Sequence, residues 1–491
     1  MVASECAPFA KTGGLADAVA GLSNALARLG HDVTLVLPGY RGLAADSSDA
    51  GYVFVPLGHS GPRGSSGFAT RSVQLREMKT PGGVRLILVD DPAFATRETF
   101  YGEHGTDYPD NAARFALLSR AALQFAVREA TDAAANQPEK INRVEFRPFD
   151  VVHAHDWHAA LAPVYLRTRY AGNPAAPRAS VFTIHNLAFQ GLFDVGELPF
   201  FDLDPDLFAL DALEYWGRAS ALKGGCVFAD WVTTVSPSYC RETIETELGF
   251  GFQGILRARG KQYVGILNGI DADVWNPATD TYLPATYRAD DLSGKAASKI
   301  EVLQAFGLTS GEGPDGPLIG MVTRLAHQKG TDLVREVMPH LVDRARLVVL
   351  GAGEPALEEA WRRLAAAWPD RIAVHIGFDE RLAHLVEAGA DIFLMPSRYE
   401  PCGLNQMYSL RYGTPPVVHA VGGLNDTVDA KNGFKFSEPT PEDLQASLAL
   451  AISTWKDTRK WRALQKNGMK LDFSWDRSAR DYVKVYRSAL S

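Results

Sequence analysis

Three loops in this sequence place cations, a carboxylate or paired glycines beside apolar strand-like runs or helix starts, which is where open parallel sheets bind ligands. In MVTRLAHQKG (321–330), Arg324 and Lys329 stand five residues apart in a tight loop that opens the next helical pattern. An arginine fork beside a compact lysine charge suits a pyrophosphate. The plain alternative is two solvated cations. In PSRYEPCGL (396–404), Glu400 follows a buried run and precedes a helix. A carboxylate there accepts hydrogen bonds from a sugar diol or steadies positive charge in a transition state. It would equally suit a helix N-terminus through the dipole alone. In KTGGL (11–15), Lys11, Gly13 and Gly14 lead straight into a helical pattern. Glycines let the backbone approach a ligand closely, and the helix start offers N–H groups to an anion. The same string also makes an ordinary turn.

Two histidine strings end strand-like runs: HAHDWH (153–158) and TIHN (183–186). No cysteine or second carboxylate lies near the first, which argues against a metal centre. Sugar binding fits better, with Trp157 as an aromatic platform and Asp156 as a hydroxyl acceptor. GAGEPA (351–356) imitates a dinucleotide fingerprint, but its proline and missing last glycine argue against a nicotinamide site. DLDPD (202–206) and DAD (271–273) imitate paired metal-binding aspartates, yet neither directly follows an apolar run, and turns favour Asp for local reasons.

The positioning elements are continuous Val/Ile/Leu runs at 33–37, 84–89, 151–153, 181–184 and 231–235. A second series follows at 264–267, 318–323, 347–350, 372–376, 392–395 and 416–419. Helical periods lie between them, as at 15–29, 111–128 and 357–367. Alternating strand and helix predicts parallel sheets covered on both faces. The pattern loosens at 252–262 and again at 280–317, which sets a domain boundary near Gln262. Turn chemistry predicts loops around 46–67 and 131–148. A last helix at 475–490 either caps the second domain or crosses back to the first.

The 491 residues exceed one ordinary core. With 46% apolar and 22% charged residues, the composition is that of a soluble globular protein. A net charge of -8 gives no general attraction to nucleic acid or to anionic membranes. No apolar stretch is long enough to span a bilayer, and no signal pattern opens the chain. Cys6, Cys226, Cys240 and Cys402 are sparse and widely spaced, as reduced cytoplasmic thiols are.

Taken together, KTGGLAD (11–17), LPGY (37–40), DYPDNAARF (107–115), VHAHDWHAAL (152–161), TIHNLAFQG (183–191), VSPSY (235–239), LNGIDADVWNP (267–277), TRLAHQKG (323–330), PSRYEPCGLNQ (396–406) and GGLNDTV (422–428) closely resemble the bacterial glycogen synthases and plant starch synthases. The resemblance implies an α/β fold of two doubly wound Rossmann-like domains facing across a deep cleft, the GT-B arrangement. Residues 1–262 would form the acceptor-side domain, with a final helix at 471–491 packing back on it. Residues 263–470 would form the donor-side domain. The implied reaction is retaining transfer of glucose from ADP-glucose to the non-reducing end of an α-1,4-glucan (glycogen or a maltooligosaccharide), in the cytoplasm, with no cofactor and no metal. The resemblance assigns the chemistry to Glu400, Lys329, Arg324, His185 and Lys11. It adds Gly13, Gly14, Cys402, Gly403 and Leu404 to the donor site, and it places Asp156, Tyr108 and Trp157 at the acceptor.

Two rivals stand beside this reading: a related GT-B transferase with another acceptor, and a non-catalytic glucan-binding relative. The second should have lost Lys11, Arg324, Lys329 or Glu400, and all four are present. The chain departs from the family pattern in a curtailed first strand before Cys6, in Asn405 where threonine is common, and in Phe378 where tyrosine is common.

Overall fold

The Val/Ile/Leu runs become strands buried on both faces, and their order in the sheets decides where ligands can sit. A computed structural model describes residues 1–57, 69–103, 105–135, 149–308 and 316–491. The chain divides into two units. One comprises Met1–Val235, Cys240–Ile266 and Trp475–Ser491; the other comprises Ser236–Tyr239 and Leu267–Ser474.

In the first unit, Val151–His155, Ala179–Ile184, Trp231–Thr234 and Tyr263–Gly265 pair in parallel in that order. Thr34–Pro38 pairs in parallel with Arg85–Asp90. The curtailed first strand reduces to Val2, which bridges Val36 on one side and Ala154 on the other, both in parallel. Its N–H reaches the His153 carbonyl at 2.8 Å. These few residues therefore join the two halves of the sheet at its centre.

The helix Gly14–Arg28 packs against the last helix, Trp475–Leu490, which belongs to this unit. Leu22, Ala25 and Leu26 meet Trp475, Ala479 and Tyr482 in one core cluster. A Cβ on Gly21 would lie 2.0 Å from the Trp475 indole, so only glycine permits this crossing. Arg28 and Asp476 close the pair at 2.6 Å.

The second unit holds one parallel sheet in the order Ile372–Ile376, Arg346–Gly351, Leu318–Val322, Ile392–Met395, Pro416–His419, Phe434–Phe436. Numbered along the chain, that order is 3-2-1-4-5-6, the doubly wound dinucleotide-fold order. Alternate strand residues pack on opposite faces. Ile319, Met321, Leu347 and Val349 meet Val334, Trp361 and Leu448; Leu318, Val348, Leu350 and Phe393 meet Val302, Leu385 and Val386.

Several expectations change. The run at 264–267 is not the first strand of the second unit: Tyr263–Gly265 pairs with Trp231–Thr234, so the first unit runs through Ile266 rather than ending at 262. At its other end, the last segment of the first unit starts at Trp475 rather than 471. The loop expected at 46–67 contains the strand Ser48–Leu57, antiparallel to Ala69–Lys79; residues 58–67 lie outside the described residues. Here Val53 and Val55 are buried while Tyr52 and Phe54 are 51% and 63% exposed. The alternation is real, but aromatic residues on the outer face hide it from a polar–apolar reading. The loop expected at 131–148 begins inside the helix Asn111–Ala135, and residues 136–148 lie outside the described residues. The aperiodic stretch 280–317 contains the helix Ser293–Ala305, whose buried residues are Gly294, Lys295, Ser298 and Val302. A helix that buries small and polar side chains leaves no hydrophobic period to read.

Candidate active site

In a doubly wound sheet, ligands sit beyond the carboxyl ends of the strands at the point where strand order reverses. In the second unit that point lies between Leu318–Val322 and Ile392–Met395. The loops leaving those two strands are the ones that carry Arg324 with Lys329, and Glu400.

These loops are locked together. Lys329 Nζ meets Glu400 Oε2 at 2.5 Å, and the Ser397 hydroxyl donates to the same oxygen at 3.0 Å. The lysine and carboxylate side chains are only 16% and 9% exposed. Arg324 is exposed beside them, with one contact to Gln328 at 3.4 Å. Gly330 ends the loop at φ +64, where a Cβ would lie 2.1 Å from the Pro396 carbonyl. Its backbone must turn left-handed and pass close to the neighbouring loop, which only glycine does without strain. The glycines of GAGEP serve the same loop. Leu325 N–H donates to Ala352 at 2.8 Å and Glu354 N–H to Leu325 at 2.9 Å, while a Cβ on Gly353 would strike the Leu325 carbonyl.

Beyond Glu400, Cys402 is buried and its thiol is pushed up to about 12 by that burial. Gly403 takes φ +69, and Leu404 precedes the helix Asn405–Arg411. Gln406, fully buried, donates to the carbonyls of Cys402 and Gly403 at 3.0 and 3.1 Å and fixes that turn.

The first unit has the same topology around its own reversal, where Val2 lies between Val36 and Ala154. The chain leaving Val2 leads into the glycine loop. Lys11 is exposed and pairs with Asp17 at 2.7 Å. Gly13 is extended (φ -164), a conformation open to any residue, and a Cβ there would meet nothing within 4 Å. Neither strain nor packing calls for glycine at this position. What glycine leaves is clear access to a helix start that no side chain caps.

The chain leaving Val151–His155 carries Asp156, buried and held at φ 53. Its Oδ1 accepts the N–H groups of His185 at 2.7 Å and Asn186 at 3.4 Å. Burial pushes this carboxyl up to about 7 against those two hydrogen bonds. His185 is half-buried, and desolvation pushes it down to about 3, so its ring is neutral at physiological pH. Its Nε2 lies 3.1 Å from His155 Nδ1. His153 bridges Tyr486 of the last helix at 2.8 Å and Thr183 at 2.6 Å.

Trp157 packs against His158 and, edge-on, against Phe115, with ring centroids 4.2 and 5.0 Å away. Tyr108 is buried, its ring beneath the Arg97 guanidinium and its hydroxyl bonded to Glu103 at 2.5 Å and Thr99 at 3.0 Å. Asp156, His185 and Trp157 thus share the strand-end cluster, and Tyr108 joins its edge through Arg114, whose guanidinium lies over both the Tyr108 and the Phe115 rings.

A family model described as the starch synthase catalytic domain matches residues 1–258, and one for glycosyl transferases group 1 matches residues 309–468. Glycogen synthase of Koribacter versatilis is 44% identical over 99% of this chain and 97% of its own length. That of an Anaeromyxobacter species is 46% identical over 99% and 98%. The chain belongs to the glycogen (starch) synthase family.

Among solved structures, the catalytic domain of starch synthase IV from Arabidopsis thaliana, bound to ADP and acarbose, superposes with a TM-score of 0.86 at 32% identity over 100% of this chain and 98% of that one. Sucrose-phosphate synthase from Thermosynechococcus elongatus, at 18% identity and a TM-score of 0.58 over 99% and 97%, shares the fold. The fold class expected from sequence, two doubly wound α/β domains, is the one observed, and the chain is a glucosyltransferase of this family.

Against the family pattern, Asn405 donates to the Val322 carbonyl at 2.7 Å and so ties its helix to the strand that launches Arg324. Phe378 is 79% exposed, beside Gly377 at φ 142. Two positioning devices escaped the sequence reading. Arg398 forks onto Asp332 at 2.7 and 2.6 Å and also holds the His327 carbonyl at 2.9 Å, clamping the cation loop. From the segment Ser236–Tyr239, Ser236 donates to the Pro401 carbonyl at 2.6 Å and Ser238 donates to Asp426 at 2.7 Å. The second serine of VSPSY was the available signal; its partner, some 190 positions later, was not.

Proposed function

We propose that this enzyme transfers glucose from ADP-glucose to the non-reducing end of an α-1,4-glucan, with retention of anomeric configuration and without a metal ion. The observation that carries the reading is the placement of Arg324, Lys329 and Glu400 at the strand-order reversal of the second unit. A departing diphosphate needs compensating positive charge, and preorganised cations supply it without reorganisation at the moment of reaction. Arg324, exposed and nearly free of partners, offers a bidentate fork to the phosphates. Lys329 is held by Glu400, which keeps the ammonium in place until the donor arrives. The glycine-loop helix start and Lys11 suit the distal phosphate, and neutral His185 suits a glucose hydroxyl as a hydrogen-bond partner.

Positive observations also favour metal independence. Asp202 is engaged by Arg120 and Arg169, Asp204 by Arg169, and Asp271 accepts the N–H groups of Asp273 and Val274. Asp202, Asp204 and Asp271 of these strings are thus committed to ion pairs and turns. The related starch synthase IV catalytic domain, bound to ADP and acarbose, supports a nucleoside diphosphate and an oligosaccharide as ligands. Among the described residues, no helix is long and apolar enough to cross a membrane. We place the enzyme in the cytoplasm, acting on ADP-glucose and glucan, with neither nucleic acid nor membrane as partner. The test is a donor-by-acceptor assay of the purified chain with ADP-glucose and UDP-glucose on maltooligosaccharides. Higher kcat/KM with ADP-glucose and lengthened α-1,4 chains are expected; equal or inverted donor preference overturns the donor assignment.

A further inference from the structure

Glu5 is a buried carboxylate, 3% exposed, that the chemistry above does not use. It lies between the central Val2 bridge and the glycine loop. Three hydrogen bonds converge on it. Thr12 N–H reaches Oε2 at 2.6 Å, while the Thr12 and Tyr101 hydroxyls reach Oε1 at 2.7 and 2.6 Å. Tyr101 is itself fixed, its hydroxyl 2.8 Å from Ser4 Oγ and its carbonyl bonded by the Asn111 amide at 2.7 Å. Residues 11–14 are all exposed, and Thr12 is where that run is tied to the interior.

A carboxylate beneath an anion-binding loop is a liability unless donors other than the ligand compensate it. Here the loop itself supplies two of the three donors, and hydrogen bonds to a carboxylate are among the stronger ones. The same bonds turn the Thr12 N–H inward and leave the N–H groups of the first helical turn for a ligand. We propose that Glu5 is a positioning residue that holds the glycine loop, through Thr12, in the conformation that receives the distal phosphate of the nucleotide. The inference rests on the reading of the glycine loop proposed above and adds the residue that shapes that loop.

The test compares calorimetric affinities of the full chain for ADP and for AMP, which lacks the distal phosphate. The wild-type chain should bind ADP the more tightly. Glu5→Ala should lower ADP affinity by about tenfold and leave AMP affinity within about twofold, so that the preference collapses. Glu5→Gln, whose oxygen can accept the Thr12 N–H and whose NH₂ can donate to both hydroxyls, should restore most of it. Thr12→Val, at an exposed position where folding is not at stake, should lose part of the preference, and Thr12→Ser should keep it. An unchanged ADP-to-AMP ratio in Thr12→Val and in Glu5→Ala overturns the inference. So does a parallel fall in both affinities that tracks a lowered Tm, because that is a purely structural role. If Glu5→Ala does not fold, Thr12→Val decides alone. A wild-type chain that binds ADP no better than AMP overturns the donor-site reading and this inference with it.

Discussion

The two units place their candidate groups at the same topological point and equip them in opposite ways. In the second unit the groups are charged: Arg324 is exposed, and Lys329 sits in a largely buried ion pair with Glu400. In the first unit, Lys11 apart, they are mostly deep, with their charged forms disfavoured by burial. His153 and His155 are buried and driven well below the ordinary histidine range by desolvation, His185 is pushed down to about 3, and Asp156 is pushed up to about 7. The second unit contributes fixed charge, the first mainly buried hydrogen-bonding groups, with the exposed Lys11 as its cation. The reaction proposed above, which expels a diphosphate while a sugar centre becomes cationic, calls for both kinds of group.

The largest expected effect falls on the charged side. Arg324→Ala or Lys329→Gln should lower kcat by about 10²-fold or more, the scale of losing one preorganised charge-stabilising donor. Arg324→Ala should leave Tm unchanged because the side chain is exposed; Lys329→Gln should lower it slightly because Glu400 loses its partner. Near-normal turnover in either variant would break the division of labour.

The neutral side can be probed through linkage. Asp156 has a folded-state value of about 7, above its ordinary value of 3.8. Between those two values the folded state holds more protons than the unfolded state, so this group's stabilising contribution is full below the lower value and is lost as pH rises through the upper one. Asp156→Asn removes that titration. Its stability relative to wild type should therefore rise from pH 5 and level off above about pH 7 in urea melts. Parallel curves for the two proteins would show that Asp156 is not held in the strained, desolvated state that its position implies.

A smaller effect separates packing from reactivity in the second unit. Cys402 is buried, and its thiol is raised to about 12. Iodoacetamide at pH 7 should label it far more slowly than it labels the less buried Cys240, as followed by mass spectrometry of native protein. Rapid labelling of Cys402 would mean that the turn held by Gln406 opens readily in solution.

What the sequence revealed follows the same divide. Strand-end loops with charge stand out because a cation or carboxylate directly after a buried apolar run is rare without a reason, so Arg324, Lys329 and Glu400 were readable together with the strands that launch them. The parallel strands were readable because they are continuously apolar. The half-buried strand Ser48–Leu57 was not, because Tyr52 and Phe54 face outward. The helix Ser293–Ala305 was not, because it buries Lys295 and Ser298. The partners that hold the site were hidden for a different reason. Arg398 with Asp332, Ser238 with Asp426, and His153 with Tyr486 are separated by dozens to hundreds of positions, and nothing local marks which residue pairs with which.

In the proposed reaction, fixed protein cations rather than a divalent ion compensate the departing diphosphate. This is tested most directly by the turnover of ADP-glucose onto maltooligosaccharide in excess EDTA. The account predicts full kcat, with at most modest stimulation when Mg²⁺ is returned. Loss of turnover in EDTA, restored stoichiometrically by one divalent metal, would contradict it.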